Sequence, residues 1–194
     1  MQALITFDAR LMSCSLVAMF YKYNTFSVIF IYCYVKFACM DDITHAFLSG
    51  AKNVPEFFEA VDIVKRNSSG KIWLIGGFVY RTVASQLYGT PMHHVDFDFI
   101  VETAVSEFVL PNGWKVLQNS FCHPKFVNGE KKIDYIPLGA VYSIRARNLP
   151  ATIDNFFTGN PLNVHSIAFD VYAGVICGDI GIDAVKRRVV EVNN

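Results

Sequence analysis

The sequence is short of charge. Asp, Glu, Lys and Arg make up 18% of its 194 residues against 53% hydrophobic, and the formal net charge is zero. No global basic field is available to draw in a polyanion, so binding of nucleic acid by bulk charge is excluded and only a local patch is left open. The five cysteines (Cys14, Cys33, Cys39, Cys122 and Cys177) form no Cys-x-x-Cys pair and no zinc-finger spacing. An odd, unpatterned set argues against a disulfide framework and fits small, buried, reduced thiols in a cytoplasmic compartment. Repeats, low-complexity tracts and interdomain linkers are also lacking. At this length the chain fits one domain with a sizeable core.

No uninterrupted apolar run reaches the ~18–20 residues that a membrane-spanning helix needs. The best candidate, Phe26 to Val35 (FSVIFIYCYV), is closely bracketed by Lys22 and Lys36. Asp8 and Arg10 precede a weak apolar run with no clean small-residue cleavage site, which argues against a signal peptide. Residues 1–40 still differ in character from the remainder of the chain. Three readings compete: a membrane-associating segment, an extra core element, or upstream sequence outside the working protein. Met40 is followed at once by Asp-Asp-Ile-Thr, an ordinary helix opening, and this favours the third. The expected working domain is residues 41–194.

What the sequence does have is concentrated in Lys71 to Glu102, KIWLIGGFVYRTVASQLYGTPMHHVDFDFIVE. Ile72 to Ile75 is a continuous apolar run and predicts a buried strand. Gly76-Gly77 comes next, then a helix from Phe78 to about Leu87. The following strand carries Asp96 and Asp98 at i and i+2, a spacing that points both carboxylates to one face. Val95, Phe97, Phe99 and Val101 would then face the core. Paired acids beside a glycine turn that opens a helix suit a divalent cation and a phosphate, since the turn and the helix N-terminus offer backbone N–H groups. A glycine pair alone is weak evidence, because most are only turns.

Around this stretch the pattern predicts a helix over residues 41–50. A second runs from an Asn53 N-cap, with Pro55 in its first turn, to about Lys65. Strands are expected at Trp114–Gln118 and Phe121–Val127. Asn128-Gly129 signals a type I′ hairpin, with a return strand Lys131–Leu138 that ends or lies at an edge because of Pro137. That strand carries Asp134 between Ile133 and Tyr135. A third acid in an apolar strand is costly to bury unpartnered, and a metal shared with Asp96 and Asp98 is its expected partner. Thr152 opens a short helix. Leu162–Tyr172 reads as a strand, Ala173-Gly174 as a turn, Val175–Gly178 as the return, Asp183–Arg188 as a helix and Val189–Val192 as a last strand. The expected fold class is α/β (α+β), a mixed sheet flanked by helices.

The segments LIGGFVYR, VDFDFIVE, KIDYIPL, PLNVHSIAFDV and GDIGIDAVKRRVVEVNN resemble the nucleotidyltransferase head domain of class II CCA-adding enzymes and bacterial poly(A) polymerases, in the DNA polymerase beta superfamily. The resemblance covers about Lys71 to Asn194 and is most specific over Leu74–Glu102. It implies a polymerase-beta-like nucleotidyltransferase fold and transfer of an NMP from an NTP, ATP included. It places the metal-binding pair on Asp96 and Asp98, the triphosphate-holding turn on Gly76 and Gly77, and the third carboxylate, which helps activate the acceptor hydroxyl, on Asp134. Mg²⁺ or Mn²⁺ suits these oxygen ligands better than zinc. In such a site two ions about 3.5–4 Å apart stabilise the charge on the attacking and leaving oxygens.

The departures bear on the substrate. Tyr80 stands at the family's Arg position, Arg81 comes one later, and Thr82 stands where an acid is usual. Arg81, one turn into the helix, is a candidate triphosphate ligand and equally an ordinary surface arginine. Residues 159–165 lack the family's basic pair and Asp, and His165 replaces its Asn. The base preference is therefore not carried over. The helical neck, body and tail that grip tRNA lie outside the resemblance, so tRNA is not the expected acceptor. A small molecule, a protein side chain or an RNA end remain. Lys125, Lys131, Lys132, Arg145 and Arg147 are candidates for a nucleotide- or acceptor-facing patch, although charged loops are more often only solvated. His93-His94 beside Asp96 raises a metallohydrolase reading, but no second His cluster supports it; His123 and His165 stand alone. The competing function is a catalytically inactive nucleotide- or partner-binding module on the same fold.

Overall fold

Alternation and its breaks lay out a seven-stranded mixed sheet with helices on both faces in the computed structural model, which describes residues 41–92 and 96–193. The expectations for residues 1–40, for His93 and His94, and for Val95 lie outside the described residues. The first two helices are α1 (Asp42–Ala51) and α2 (Pro55–Arg66), followed by β1 (Ser68–Ile75) and α3 (Gly77–Tyr88). Then come β2 (Phe97–Ala104), β3 (Lys115–Gln118), β4 (Pro124–Asn128) and β5 (Lys131–Pro137). Short helices α4 (Tyr142–Ala146) and α5 (Ile153–Gly159) precede β6 (Ala168–Asp170), β7 (Val175–Cys177) and α6 (Asp179–Arg187). The strand order is β3-β4-β5-β2-β1-β6-β7. Neighbours are antiparallel except β2 and β5, which run parallel.

α1 starts where the sequence placed it, because the Asp41 side chain accepts from the Thr44 N–H and hydroxyl. Buried Thr44 also accepts from the Ile176 N–H and so ties α1 to β7. α2 differs from expectation at its cap. Val54 holds that position without a side-chain bond, and Asn53 instead donates back to the Ser49 carbonyl. Pro55 accounts for the start, since its fixed φ and missing N–H suit the first helical position.

The hairpin between β4 and β5 forms one residue later than expected. Asn128 pairs with Lys131, which leaves Gly129-Glu130 as the loop. Gly129 has φ 60° and Glu130 stays out of the positive region, as in a II′ rather than a I′ turn. β5 is not an edge strand. It lies between β4 and β2, and Pro137 ends it.

The stretch Leu162–Tyr172 is not one strand. It holds a 3-10 turn over Asn163–His165 and only three strand residues. The Ser166 carbonyl accepts from the Gly181 N–H, and its hydroxyl donates to the Phe157 carbonyl. Gly181 sits so close that a Cβ there would lie 2.6 Å from the Ser166 carbonyl oxygen. Those contacts to α6 and α5 take the backbone out of the ladder. The expected last strand reduces to a single bridge between Leu162 and Val192, and α6 begins four residues before its expected start.

The main core lies on the face that carries Leu74, Phe97, Phe99, Val101, Phe126, Ile133 and Tyr135, under α1, α2, α3 and α6. The opposite face is apolar too. Trp73, Ile75, Ile100 and Ala168 pack there with Ile144 of α4 and with Phe156 and Phe157 of α5. The central strands are buried on both sides, and this is why Ile72–Ile75 and Phe97–Val101 are nearly unbroken apolar runs.

Candidate active site

The site grows out of one row of residues in register across the sheet. Lys125 pairs with Asp134, Asp134 with Asp98, and Asp98 with Ile75, the residue before the glycine turn. In-register neighbours share a face, so Lys125, Asp134 and Asp98 meet on the side covered by α4 and α5. Asp96 lies just before β2 rather than on it.

The first turn of α3 is locked to this row by aromatic packing. Phe78 meets Phe97 edge-to-face at 4.8 Å and stacks on Phe57 at 5.6 Å. Phe97, between the two acids in sequence, thus fixes the acid-bearing chain from the opposite face. Gly76 caps α3 with φ 77° and ψ −153°, a region that essentially only glycine adopts. It also leaves room for Asp98, since a Cβ on Gly76 would lie 2.6 Å from Asp98 Oδ2. Gly77 is the first residue of the helix. The turn and the Asp98 carboxylate are in direct contact, as the sequence spacing suggested.

Asp134 has two side-chain partners that the sequence did not indicate. Lys125 Nζ lies 3.0 Å from Asp134 Oδ2 and 3.4 Å from Asp96 Oδ2, while Asn119 Nδ2 donates to Asp134 Oδ1 at 2.8 Å. An ammonium and an amide are thus the side-chain partners of the buried acid in this structure. Burial opposes the Lys125 charge, but bonding to Asp134 and attraction by both acids outweigh it and hold Lys125 above the ordinary lysine range. Asp98 is left without such relief. Burial first, then repulsion from Asp134 and Asp96, push its carboxyl up to about 7, with Lys125 acting only in part against them.

Three clustered carboxylates face one ammonium, so the row carries surplus negative charge. That surplus and the all-oxygen donor set fit a hard divalent cation. Among the described residues no three His, Cys, Asp or Glu side chains are grouped to hold a metal ion. A cation shared by Asp96 and Asp134 has to displace Lys125 Nζ.

Arg81 is placed elsewhere around α3. Its Nε lies 3.4 Å from the Tyr80 hydroxyl, and the Tyr80 ring is 5.8 Å from the His165 ring. Burial, then the Arg81 charge, lowers the His165 pKa. Tyr80, Arg81 and His165, all departures from the family pattern, thus form one cluster. The expected basic patch disperses. Lys131 pairs with Glu59 at 2.7 Å toward the main core, and Arg147 donates to the Ser143 and Thr158 carbonyls. Among the described residues, Lys125 is the one of these cations that pairs with the acid row. Asn119 gave no signal beyond its type; only the fold brings it to Asp134.

Neither a protein-family model nor a curated protein matches the chain. Solved structures do. The chain is similar to a tRNA nucleotidyltransferase complexed with a primer tRNA and an incoming ATP analogue, with TM-score 0.45 and 16% identity over 64% of this chain and 36% of that one. It is similar to a tRNA-processing enzyme with CTP (TM-score 0.42, 17% identity, 64% and 33% of the chains). A further complex of a tRNA-processing enzyme gives TM-score 0.45 and 18% identity over 70% and 36%. The chain spans about a third of the length of these structures.

Proposed function

We propose that the domain is a nucleotidyltransferase that moves an NMP from an NTP to an acceptor hydroxyl. The observation that supports it most is the in-register pairing of Asp98 with Asp134, with Asp96 linked to Asp134 through Lys125 and the Asp98 carboxylate against the Gly76 turn. The acceptor oxygen forms a new bond to the α-phosphorus, the bond from that phosphorus to the β-bridging oxygen breaks, and pyrophosphate leaves with the electron pair. Gly76 and Gly77 offer backbone N–H groups to the β- and γ-phosphates. Asp134 stands on the acceptor side and takes the hydroxyl proton, while Asn119 fixes the carboxylate through Oδ1. Asp96 and Asp98 would hold Mg²⁺ or Mn²⁺. When bound, such a cation neutralises charge on the phosphate oxygens and lowers the pKa of the attacking hydroxyl. Arg81 extends the donor side if its Tyr80 contact opens.

The second reading, a module that binds nucleotide without turning it over, draws on Lys125, whose single ammonium bridges two of the three acids. Calorimetric titration of each NTP with Mg²⁺ and Mn²⁺, beside label transfer to mixed RNA, protein and metabolite acceptors, separates the two. Binding with transfer, both lost in Asp98→Asn, supports the enzyme. Binding without transfer supports the module. No binding removes both.

A further inference from the structure

We infer that Tyr142 is a self-modification site: the domain transfers an NMP from the NTP to its own Tyr142 hydroxyl and carries the product as a tyrosyl phosphodiester. The inference rests on the nucleotidyltransferase reading, with Asp134 as the acceptor-side acid, and names a side chain of this same chain as an acceptor.

A cavity of about 160 Å³ opens beside the acid row. Its floor includes Ile75, Ile100 and Ile136. Ile75 pairs with Asp98, and Ile100 and Ile136 lie two residues beyond Asp98 and Asp134 on the same face. Two strand residues span roughly 7 Å, so the cavity begins about one side chain's length from the acids. Asn119, which donates to Asp134, forms part of its wall. Among the described residues that line it, Tyr142 is the one with a hydroxyl. The same holds for the adjoining cavity of about 370 Å³, which Tyr142 lines together with Arg145.

Tyr142 also differs from the other described tyrosines in having an uncommitted side chain. The Tyr135 hydroxyl donates to the Asn67 carbonyl, and that of Tyr88 to the Val185 and Lys186 carbonyls. The Tyr80 hydroxyl accepts from Arg81, and the Tyr172 ring lies under Lys65 Nζ. Tyr142 is 77% exposed, and among the described residues its side chain has neither a hydrogen bond nor a ring contact. Its backbone is nonetheless anchored. It opens α4, between Val141, packed on the second apolar layer, and buried Ile144. The fold thus fixes the chain at this point and leaves the phenol free at the edge of the cavity. In the step inferred, the phenolic oxygen forms a bond to the α-phosphorus and the bond from that phosphorus to the β-bridging oxygen breaks. Pyrophosphate leaves with the electron pair, and Asp134 takes the phenolic proton. The phosphodiester leaves a negative charge three residues before Arg145, a spacing that puts both on one helical face, and guanidinium pairs well with phosphate.

The test incubates the protein with each α-labelled NTP and Mg²⁺ or Mn²⁺, with no acceptor added, and reads the denatured chain by intact mass and by fragmentation of its peptides. One NMP per chain is expected, on Tyr142, at a rate per chain that stays constant on about tenfold dilution of the protein, as transfer within one molecule requires. Tyr142→Phe keeps the ring and removes the hydroxyl. It is expected to lose the label while binding a non-hydrolysable NTP analogue within about twofold of the wild type. Asp98→Asn is expected to lose the label too, which assigns the transfer to this chain's own site. Label on Ser120, next in sequence to Asn119, or on any other residue overturns the inference. So does undiminished labelling of Tyr142→Phe, a rate that rises with protein concentration, or an unlabelled wild-type chain. An unlabelled chain that still transfers label to an added pool of RNA, protein or metabolites leaves the nucleotidyltransferase reading standing; one that binds no NTP removes that reading as well.

Discussion

Asp98 is the residue on which the site's chemistry and its cost meet. Its folded-state pKa, about 7, lies above the unfolded carboxylate value. The native state therefore favours the protonated form, and this contribution is fully present below pH ~4 and lost as the pH rises through about 7. We expect the wild type to lose stability between pH ~4 and ~7 relative to Asp98→Asn, by up to about 4 kcal/mol over the whole window, and Mg²⁺ to restore part of the loss. Urea unfolding across pH checks both. Parallel pH profiles of the two proteins would contradict the assignment. Gly76→Ala adds strain of about 1–3 kcal/mol through its φ and ψ and crowds Asp98, so NTP affinity falls with stability. Unchanged affinity would leave the turn merely structural. Lys125→Met leaves Asp96 and Asp134 without their cation. Its melting temperature should rise with Mg²⁺ by more than that of the wild type, which thermal scans with and without the ion measure.

At the scale of elements, packing under the glycine turn decides whether the acids are presented at all. Phe97→Ala removes a ring from a cluster with Phe57 and Phe78 and should cost about 3–5 kcal/mol, with the Asp98 contact to the turn lost as well. Denaturant unfolding measures the first, and NTP affinity of the folded fraction the second. The elements that the sequence foretold best are those whose cause is local. The Ile72–Ile75 run, the Gly76 start of α3, and Asp98 and Asp134 on apolar strands all arise from patterns within a few residues. What it misplaced depends on distant partners. Ser166 leaves the sheet because Gly181 and Phe157 claim its polar groups. Asp134 meets Lys125 and Asn119 because β4 pairs beside β5 and the preceding loop folds back. Neither contact has a signature in spacing. Lys125, nine residues before Asp134, gave no sign in the sequence of facing it.

At the scale of the whole molecule, the sheet separates two tasks. One face carries the main core under α1, α2, α3 and α6. The other carries the acid row and a thinner apolar layer under α4 and α5, with the ring-lined cavity beside it. No helix among the described residues is long and apolar enough to cross a membrane. Donor phosphates at the Gly76 end and the acceptor at the Asn119 end would meet over Asp98. The most direct test of that arrangement tracks two labels on the NTP, one at the α- and one at the γ-phosphate, with Mg²⁺ and a mixed acceptor pool. We predict α-label on the acceptor and γ-label in pyrophosphate, both lost in Asp98→Asn. Label from the γ-phosphate on the acceptor, or release as single inorganic phosphate, would contradict the account.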